Sequence, residues 1–404
     1  MAGHGMVHTY ELAVPILMTV WLVDFSTSTA TLGTVVAVGY GLFGVGALPG
    51  GLLVDRFGSR RLIVACLAGM GSSFLLLAVA PGVVGITLAL ALWGLSASVY
   101  HPAGLSLISN AVEQRGSAFA YHGMAGNTGI ATGPFLTALL LVAVDWRTAV
   151  VILAVPALLA ALAGLTVDFD ETAAVAATDG GDAPSAAIDS PREFLSASRG
   201  LFTAGFATVF VLVLFNGLYY RGMLTFLPEM LGDFLDPLVD VAPSEGLGPI
   251  PDGQLAREFD IAQYLYAGLL AVGVAGQYVG GKLTDRVEVE RGLAITLALL
   301  AVIAVLFIPA TSTLPTLLAV SAALGFVLFG IQPLSQATIA KYSPPEHRGL
   351  SFGYTYLAIF GIGALGASIV GTALAYGTST TVFVLLAGFE VVALGLALFL
   401  VSRG

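Results

Sequence analysis

Apolar residues fill almost the whole chain in long blocks that short polar breaks separate. One helical span of a bilayer needs about 20 apolar residues, and the blocks have about this length. The pattern predicts twelve spans, at residues 8–28, 31–54, 61–80, 84–109, 117–142, 147–167, 201–231, 260–284, 291–310, 314–340, 349–374 and 379–402. The alternating strands of about ten residues that build a membrane barrel do not occur in the pattern. The sequence therefore predicts an all-α membrane protein.

Composition supports this prediction. Hydrophobic residues make up 57% of the 404 residues and charged residues only 10%, which excludes an ordinary soluble protein. The net charge of -10 reflects two acidic segments, Asp168–Glu193 and Asp233–Asp260, which are typical of solvated loops. No basic patch suits nucleic acid, and the single Cys66 excludes an internal disulfide.

The chain carries an internal repeat. Gly50–Arg61 reads GGLLVDRFGSRR, and Gly280–Arg291 reads GGKLTDRVEVER, with Gly-Gly, Leu, Asp-Arg and the last Arg in the same places. Such self-similarity indicates duplicated architecture. The sequence thus predicts a six-helix bundle at 1–167 and a second at 200–404, joined by an acidic cytoplasmic linker at 168–199. An acidic extracellular loop is predicted at 232–259.

Basic residues predict the orientation in the membrane. Loops on the cytoplasmic side carry an excess of Lys and Arg. Twelve of the fifteen basic residues fall on one side of the predicted topology: Arg56, Arg60, Arg61, Arg115, Arg192, Arg199, Lys282, Arg286, Arg291, Lys341, Arg348 and Arg403. We therefore expect a multi-pass protein of the cell membrane with both termini in the cytoplasm.

Glycine is concentrated in the second, fifth, eighth and eleventh spans. Glycine at three- or four-residue spacing lets membrane helices approach closely, and two bundles that slide against each other need such faces. The residues singled out for helix interfaces are Gly126, Gly129, Gly133, Gly276, Gly363 and Gly366. The alternative is that membrane helices simply use much glycine.

The repeated loop, a glycine, an apolar pair, Asp-Arg and trailing basic residues, resembles the signature loop of the major facilitator superfamily. SASVYHPAGLSLISN, EQRGSAFAYHGMAGNTGIATGP and DWR in the first half, with FGIQPLSQATIAKYSPPEHRG and FGIGALGASIVG in the second, extend the resemblance over nearly all of both halves. Within the superfamily, VYHP, the Gly-Asn-x-Gly-x-x-x-Gly-Pro run and TFLPEML look like the fosmidomycin resistance branch of drug exporters. Two positions depart from the pattern: Ala103 follows the His-Pro, and Val287 follows the second Asp-Arg.

The resemblance implies two six-helix bundles related by a pseudo-two-fold axis along the membrane normal, with a substrate cavity between them. It also implies that the first, fourth, seventh and tenth spans line the cavity and that the third, sixth, ninth and twelfth face outward.

Charges at the predicted cytoplasmic ends suggest a gate. Asp55 with Arg115, and Asp285 with Arg348 in the repeat, are expected to form ion pairs, beside Arg56 and Arg286 in the same loops. A carboxylate near a helix N-terminus gains roughly 0.3–1 kcal/mol from the helix dipole. The alternative is that these charges only fix orientation.

Arg221 is a charge inside a predicted span, which costs about 2.5–3.5 kcal/mol on insertion scales and is seldom kept without a use. Helical rise places it at a depth similar to that of Asp24. We expect Arg221 to pair with Asp24 in the empty state and to be available to an anionic substrate group. The alternative is that its side chain extends to the outer interface.

A second polar set lies toward the predicted cytoplasmic half. Glu11, His101 and His122 fall at similar depths and are candidates for sharing a proton, because histidine titrates near neutral pH. The alternative is that these histidines only make structural hydrogen bonds. His101 and Gln332 each precede a proline, and a polar residue at a kink is typical of a cavity lining. Asn127 is a weaker lining candidate.

These patterns predict a secondary transporter that works by alternating access, with proton-coupled efflux of a drug-like or anionic compound, hence an antiporter, as the favoured function. No Gly-rich loop ending in Lys-Ser or Lys-Thr indicates a nucleotide-driven pump. The alternatives are an importer or an uncoupled facilitator and, more distantly, a membrane-embedded enzyme. We expect a small-molecule substrate, protons and lipid as partners, a monomer, and no cofactor or metal. Glu390, in the middle of the twelfth span, has no explanation in the sequence.

Overall fold

A computed structural model describes residues 1–112, 115–168, 170–171, 173, 191–239, 255–344 and 348–403. Helices are the only regular secondary structure in these ranges. When helices separated by a short break are counted as one span, eleven spans in these ranges are long and apolar enough to cross a membrane. The helix at the eighth predicted position, Leu255–Thr284, is 30 residues long. The all-α prediction is confirmed.

The first half contains α1 (Ala2–Asp24), α2 (Thr29–Phe57), α3 (Ser59–Ala78), α4 (Val83–Ser98), α5 (Tyr100–Ala111), α6 (Arg115–Ala143) and α7 (Trp146–Thr166). The second half contains α8 (Pro191–Leu201), α9 (Ala204–Leu235), α10 (Leu255–Thr284), α11 (Val289–Ala310), α12 (Leu314–Lys341), α13 (Arg348–Tyr356), a π-helical turn (Leu357–Ile362), α14 (Leu365–Tyr376) and α15 (Ser379–Val401).

Polar residues begin several of these helices. Ser28, Thr203, Thr313 and Thr378 each accept a hydrogen bond from a backbone N–H of the following helix. Asp145 does the same for α7, and its bonds to the hydroxyl and amide of Thr148 hold the pKa of this loop carboxyl below its usual range. These side chains satisfy N–H groups that a helix leaves unpaired, so each marks where a membrane helix begins.

Two predicted spans are not single regular helices. The fourth is broken at Val99, between α4 and α5, three residues before Pro102. The eleventh consists of α13, the π-helical turn and α14. π-helical turns are frequent at functional sites, and this one carries Phe360. The sequence did not predict α8, because an 11-residue amphipathic helix has no apolar block. This helix begins in the predicted linker and ends at Leu201, just after it.

Helix packing in the second half repeats that of the first. In the first half α1 packs on α6, α2 on α4, and α3 on α7. The equivalent pairs in the second half are α9 with α14, α10 with α12, and α11 with α15. The most buried spans are α1 and α9, at 72% and 67%, whereas only 33% of α7 and of α15 is buried. The duplicated architecture is therefore present in the packing, with α1 and α9 at its centre.

The halves meet along seams of α2 with α13, the π-helical turn and α14, of α6 with α10, and of α1 with α9. Along the first of these seams, Gly33 lies against the backbone of Ala367, Gly44 against Gly361, and Gly371 against Thr29. Thr34 and Ser368 also bring their Oγ atoms to 3.0 Å across it.

The glycines singled out in the sequence lie elsewhere, at contacts inside each bundle. Gly126, Gly129 and Gly133 of α6 contact α1; Gly276 of α10 contacts α12; Gly363 and Gly366 contact α9 or their own helix. All six lie at close contacts between helices, as predicted, but these contacts are within a bundle, so the expectation that they form the faces between the bundles is wrong. Their backbone contacts hold helices together within one bundle, because a carbonyl or a ring occupies the space that a side chain would need.

Replacing Gly44 with alanine is expected to weaken this closed seam. A Cβ atom at Gly44 would overlap the backbone of Gly361, and overpacking of this kind costs about 1–3 kcal/mol. Disulfide formation between cysteines placed at Thr34 and Ser368 measures closure. We expect a lower cross-linking yield in Gly44→Ala and no change in Gly388→Ala, whose added Cβ would have open space. Equal yields in both variants would show that the seam tolerates the extra atom.

Candidate functional site

A buried ion pair joins the two central helices. The Nη2 atom of Arg221, on α9, lies 2.5 Å from the Oε1 atom of Glu11, on α1, and the side chains are 3% and 1% exposed. The two residues lie near the middle of their helices. The pair therefore links the first bundle to the second at the core of the molecule.

Aromatic rings surround the guanidinium of Arg221. Its Cζ atom lies 3.9 Å from the ring centroid of Tyr40, 5.0 Å from that of Phe360 and 5.4 Å from that of Tyr220. The Tyr40 hydroxyl donates a 2.8 Å hydrogen bond to the backbone carbonyl of Glu11. Ring faces stabilise a cation that has left water, so the site offsets part of the cost of burying Arg221.

Arg221 nevertheless keeps unused hydrogen-bonding capacity. Its Nε atom is buried and has no hydrogen-bond partner among the described residues, whereas Nη2 is paired with Glu11. Arginine binds carboxylates and phosphates best through two parallel N–H donors. The guanidinium is thus held and charge-balanced, but it is not saturated.

The predicted partner of Arg221 is wrong. The Asp24 carboxylate accepts a 2.5 Å hydrogen bond from the indole N–H of Trp146 instead. The depth estimate failed because α1 begins at Ala2, so that Asp24 is its last residue and lies at the helix end, while Arg221 lies mid-helix. A carboxylate at the end of a helix suits an indole donor, whereas the buried cation pairs with the carboxylate at its own depth.

Four histidines gather beside Glu11. The His8 Nδ1 atom lies 2.6 Å from the Oε2 atom of Glu11, and the His8 Nε2 atom lies 3.1 Å from that of His4. The His4 Nε2 atom is also 3.3 Å from the Nε2 atom of His101. His4 Nδ1 lies 2.7 Å from the backbone carbonyl of His122, and the two rings stack with centroids 3.9 Å apart.

The structure therefore brings Glu11, His101 and His122 into one cluster and adds His4 and His8, which the sequence reading omitted. His4 and His8 were overlooked because the first span was predicted to begin at residue 8, which left its first turns outside the membrane. A signal was present: His4, His8 and Glu11 follow each other at intervals of four and three residues, and such residues share one helix face.

The weaker lining candidates take different positions. The Gln332 Oε1 atom accepts a 3.4 Å hydrogen bond from the Nε2 atom of Gln277, between α12 and α10. Asn127 is half-buried on α6, in the turn that follows Gly126. Neither residue contacts the Arg221 pair in the described part of the chain.

The predicted gate pairs stay predictions. The side chains of Asp55, Arg115 and Arg348 lie outside the part of the chain that the structure describes. Asp285 and Arg286 are exposed in the turn after α10. Arg56 is exposed as well, with its Cζ atom 5.3 Å from the ring centroid of Phe57.

Glu390 now has a partner. The Asn216 side-chain amide, on α9, donates a 3.0 Å hydrogen bond to its Oε1 atom. Glu390 is fully buried, between α15 and α9 within the second bundle. It is a structural contact away from the central pair, and a suitable reference for the effects of Glu11.

Comparison with known proteins decides the family. The sequence profile of the Major Facilitator Superfamily matches residues 5–242 and 246–404. The chain belongs to this superfamily. Membership makes it a membrane transporter of small molecules and not an enzyme, and it agrees with the two-bundle fold described above.

Relatives with curated names align over shorter stretches. Puromycin resistance protein of Streptomyces alboniger is 37% identical over 123 residues, which are 30% of this chain and 24% of that relative. An uncharacterised transporter of the same superfamily from Mycobacterium tuberculosis is 39% identical over 103 residues, 25% of this chain and 24% of the relative. Each alignment thus spans about a quarter of the relative's length.

Solved structures resemble the chain over its whole length. The nucleoside transporter NupG, in a mutant form, superposes with a TM-score of 0.78 at 14% identity and covers 98% of this chain and 97% of its own. A bacterial homologue of the human lysosomal transporter Spinster, inward-facing and occupied, gives 0.71 at 16% identity, with 99% and 95% covered. At these identities the likeness establishes the major facilitator fold alone.

Proposed function

We propose that this major facilitator is a secondary active exporter of a small drug-like compound with an acidic group, driven by the proton gradient. The observation that carries the proposal is the Arg221 guanidinium, which is buried between the bundles with an Nε atom that lacks a hydrogen-bond partner in the described residues and an Nη2 atom that is paired with Glu11. Buried N–H groups in proteins are almost always hydrogen-bonded. A carboxylate or phosphonate group supplies two acceptors, one for Nε and one for Nη2, in the geometry that arginine prefers.

The Glu11–Arg221 pair gives such a substrate a way to act on the transporter. The pair connects α1 of one bundle to α9 of the other. An acidic group that binds Arg221 competes with Glu11, and displacement of Glu11 removes a link between the bundles. A ligand shifts a conformational equilibrium only by its differential affinity for the two states. Competition for Arg221 supplies that difference.

The direction of transport rests on a relative. Puromycin resistance protein of Streptomyces alboniger shares 37% identity over part of the chain, and a membrane transporter can confer resistance by removing a compound from the cell. The driving force is a gradient because the sequence holds no phosphate-cradling loop of a nucleotide-driven pump. The predicted charge pairs of Asp55 with Arg115 and Asp285 with Arg348 belong to the same proposal, as the cytoplasmic gate.

The test measures cellular accumulation of a panel of compounds in cells that make this transporter. The panel contains phosphonates and carboxylates, fosmidomycin included, together with puromycin and neutral compounds of similar size. We expect at least one acidic compound to accumulate less than in cells without the protein, and a protonophore to abolish the difference. Neutral compounds should accumulate equally in cells with and without the protein.

Three results would overturn the proposal. Higher accumulation of a panel member, removed by the protonophore, would identify an importer. A difference that persists with the protonophore would identify a transporter that does not use the proton gradient. An effect confined to puromycin or to neutral compounds would reject the acidic group as the recognised feature.

A further inference from the structure

Beside the ion pair, three imidazoles of the first bundle direct nitrogen atoms to one point. The Nε2 atoms of His8 and His101 lie 3.1 and 3.3 Å from the Nε2 atom of His4, and the three donor nitrogens lie within 4.8 Å of one another. His4 and His101 are 8% exposed and the His8 side chain 13%. Two of these contacts match the nitrogen spacing of about 3.3 Å that tetrahedral Zn–N bonds of 2.0–2.1 Å produce.

Hydrogen bonds fix which nitrogen carries the proton in two of the rings. His4 Nδ1 faces a backbone carbonyl, which can only accept, so His4 Nδ1 carries the hydrogen. His8 Nδ1 faces the Glu11 carboxylate, which forms an ion pair with Arg221, so His8 Nδ1 also donates. In the neutral rings, the Nε2 atoms of His4 and His8 therefore carry no hydrogen, and each has a free lone pair.

Two lone pairs 3.1 Å apart repel each other unless a positive centre lies between them. That centre is either an additional proton or a metal ion. A third nitrogen, from His101, lies close to the same point. A proton shared between two nitrogens does not need a third, whereas a metal ion binds three or more. Imidazoles whose other ring nitrogen donates to a carboxylate or a carbonyl are the usual ligands of zinc sites. Both features favour the ion.

We propose that His4, His8 and His101 form a binding site for one divalent transition-metal ion of the Zn²⁺ or Co²⁺ type. Imidazole nitrogen suits these ions. Glu11 and the His122 carbonyl orient His8 and His4 without binding the ion. The sequence reading predicted no metal because it left out two of the three ligands. All three ligands belong to the first bundle, so the ion is held without a residue of the second bundle, although Glu11 both orients His8 and pairs with Arg221.

The experiment titrates the purified full-length transporter, carrying an affinity tag without histidine, with Zn²⁺ and with Co²⁺. We expect one ion per chain, and visible absorption of bound Co²⁺ that Zn²⁺ removes. Changing Glu11→Gln should weaken binding about 10- to 100-fold, the range for loss of a partner that orients a ligand. His8→Ala or His101→Ala should weaken it more than that.

His122→Phe is the matched control. It removes a neighbouring imidazole, keeps a ring that can stack on His4, and leaves the backbone carbonyl in place. We expect it to bind Zn²⁺ as the wild type does. Because an alanine variant can fail to fold, His101→Cys provides a second measurement: it should still bind Co²⁺ and add a thiolate-to-cobalt absorption band.

Two outcomes would reject the site. If folded wild-type protein binds neither ion, a shared proton occupies the cluster instead. If His4→Ala/His8→Ala/His101→Ala binds as much Zn²⁺ as the wild type, the ion is bound elsewhere. Neither outcome affects the export assay, which uses no added metal.

Discussion

Arg221→Ala is expected to abolish export of acidic compounds and to destabilise the transporter. Glu11 would remain 1% exposed, without its counter-charge, and removal of one partner of a buried ion pair costs about 3–5 kcal/mol. The acidic group of the substrate would lose its binding partner at the same time. Thermal unfolding of the purified protein and accumulation in cells measure the two effects.

A second variant separates stability from recognition. Glu11→Gln/Arg221→Ala removes both charges, so we expect it to recover much of the lost stability and none of the export. Arg192→Ala, at an exposed arginine of α8, is the matched control and should resemble the wild type in both assays. Export by Arg221→Ala at the wild-type level would exclude Arg221 from substrate binding.

Glu11→Gln is expected to bind an acidic substrate more tightly and to lose transport against a gradient. In the wild type, Glu11 lies 2.5 Å from the guanidinium that we assign to the substrate. Removing this competitor should strengthen binding by about tenfold, which corresponds to about 1.4 kcal/mol. Release should slow, because no carboxylate returns to Arg221 to displace the substrate. Equilibrium binding and uptake by proteoliposomes measure these quantities separately.

The control for this variant is Glu390→Gln. Glu390 is also a buried mid-helix glutamate, but its partner is Asn216. We expect unchanged affinity and unchanged transport against a gradient in Glu390→Gln. Weaker substrate binding in Glu11→Gln would mean that Glu11 assists recognition and does not compete with the substrate.

Hydropathy predicted the all-α fold and eleven of the spans that the described residues contain, because the length of an apolar block is set by the bilayer. The repeat predicted the duplicated packing, because similar sequences bury similar helix faces. Arg221 was also identifiable from the sequence, since a charge in an apolar block needs a partner wherever the helix lies. None of these inferences depends on where a helix begins to within one turn.

The partner of Arg221 does depend on that. Two helices meet at a depth set by their packing. The observed centre of α1 lies earlier in the sequence than predicted and that of α9 lies later, so Asp24 falls at the end of α1 and Glu11 falls near the depth of Arg221. The same shift hid His4 and His8. Glu390 was unexplained because Asn216 is 174 residues away in sequence. Contacts between helices, unlike the helices themselves, were therefore the part that the sequence left open.

The glycine contacts make the seam between α2 and α14 stiffer than the seam between α6 and α10. Along α2 and α14, Gly33, Gly44 and Gly371 place backbone against backbone, where a small displacement meets hard overlap. Between α6 and α10, the rings of Phe135 and Tyr264 meet with centroids 5.9 Å apart, and rings can turn. A transporter with two similar halves is thus expected to rock about one stiff edge while the other yields, so its motion would lack the symmetry of its fold.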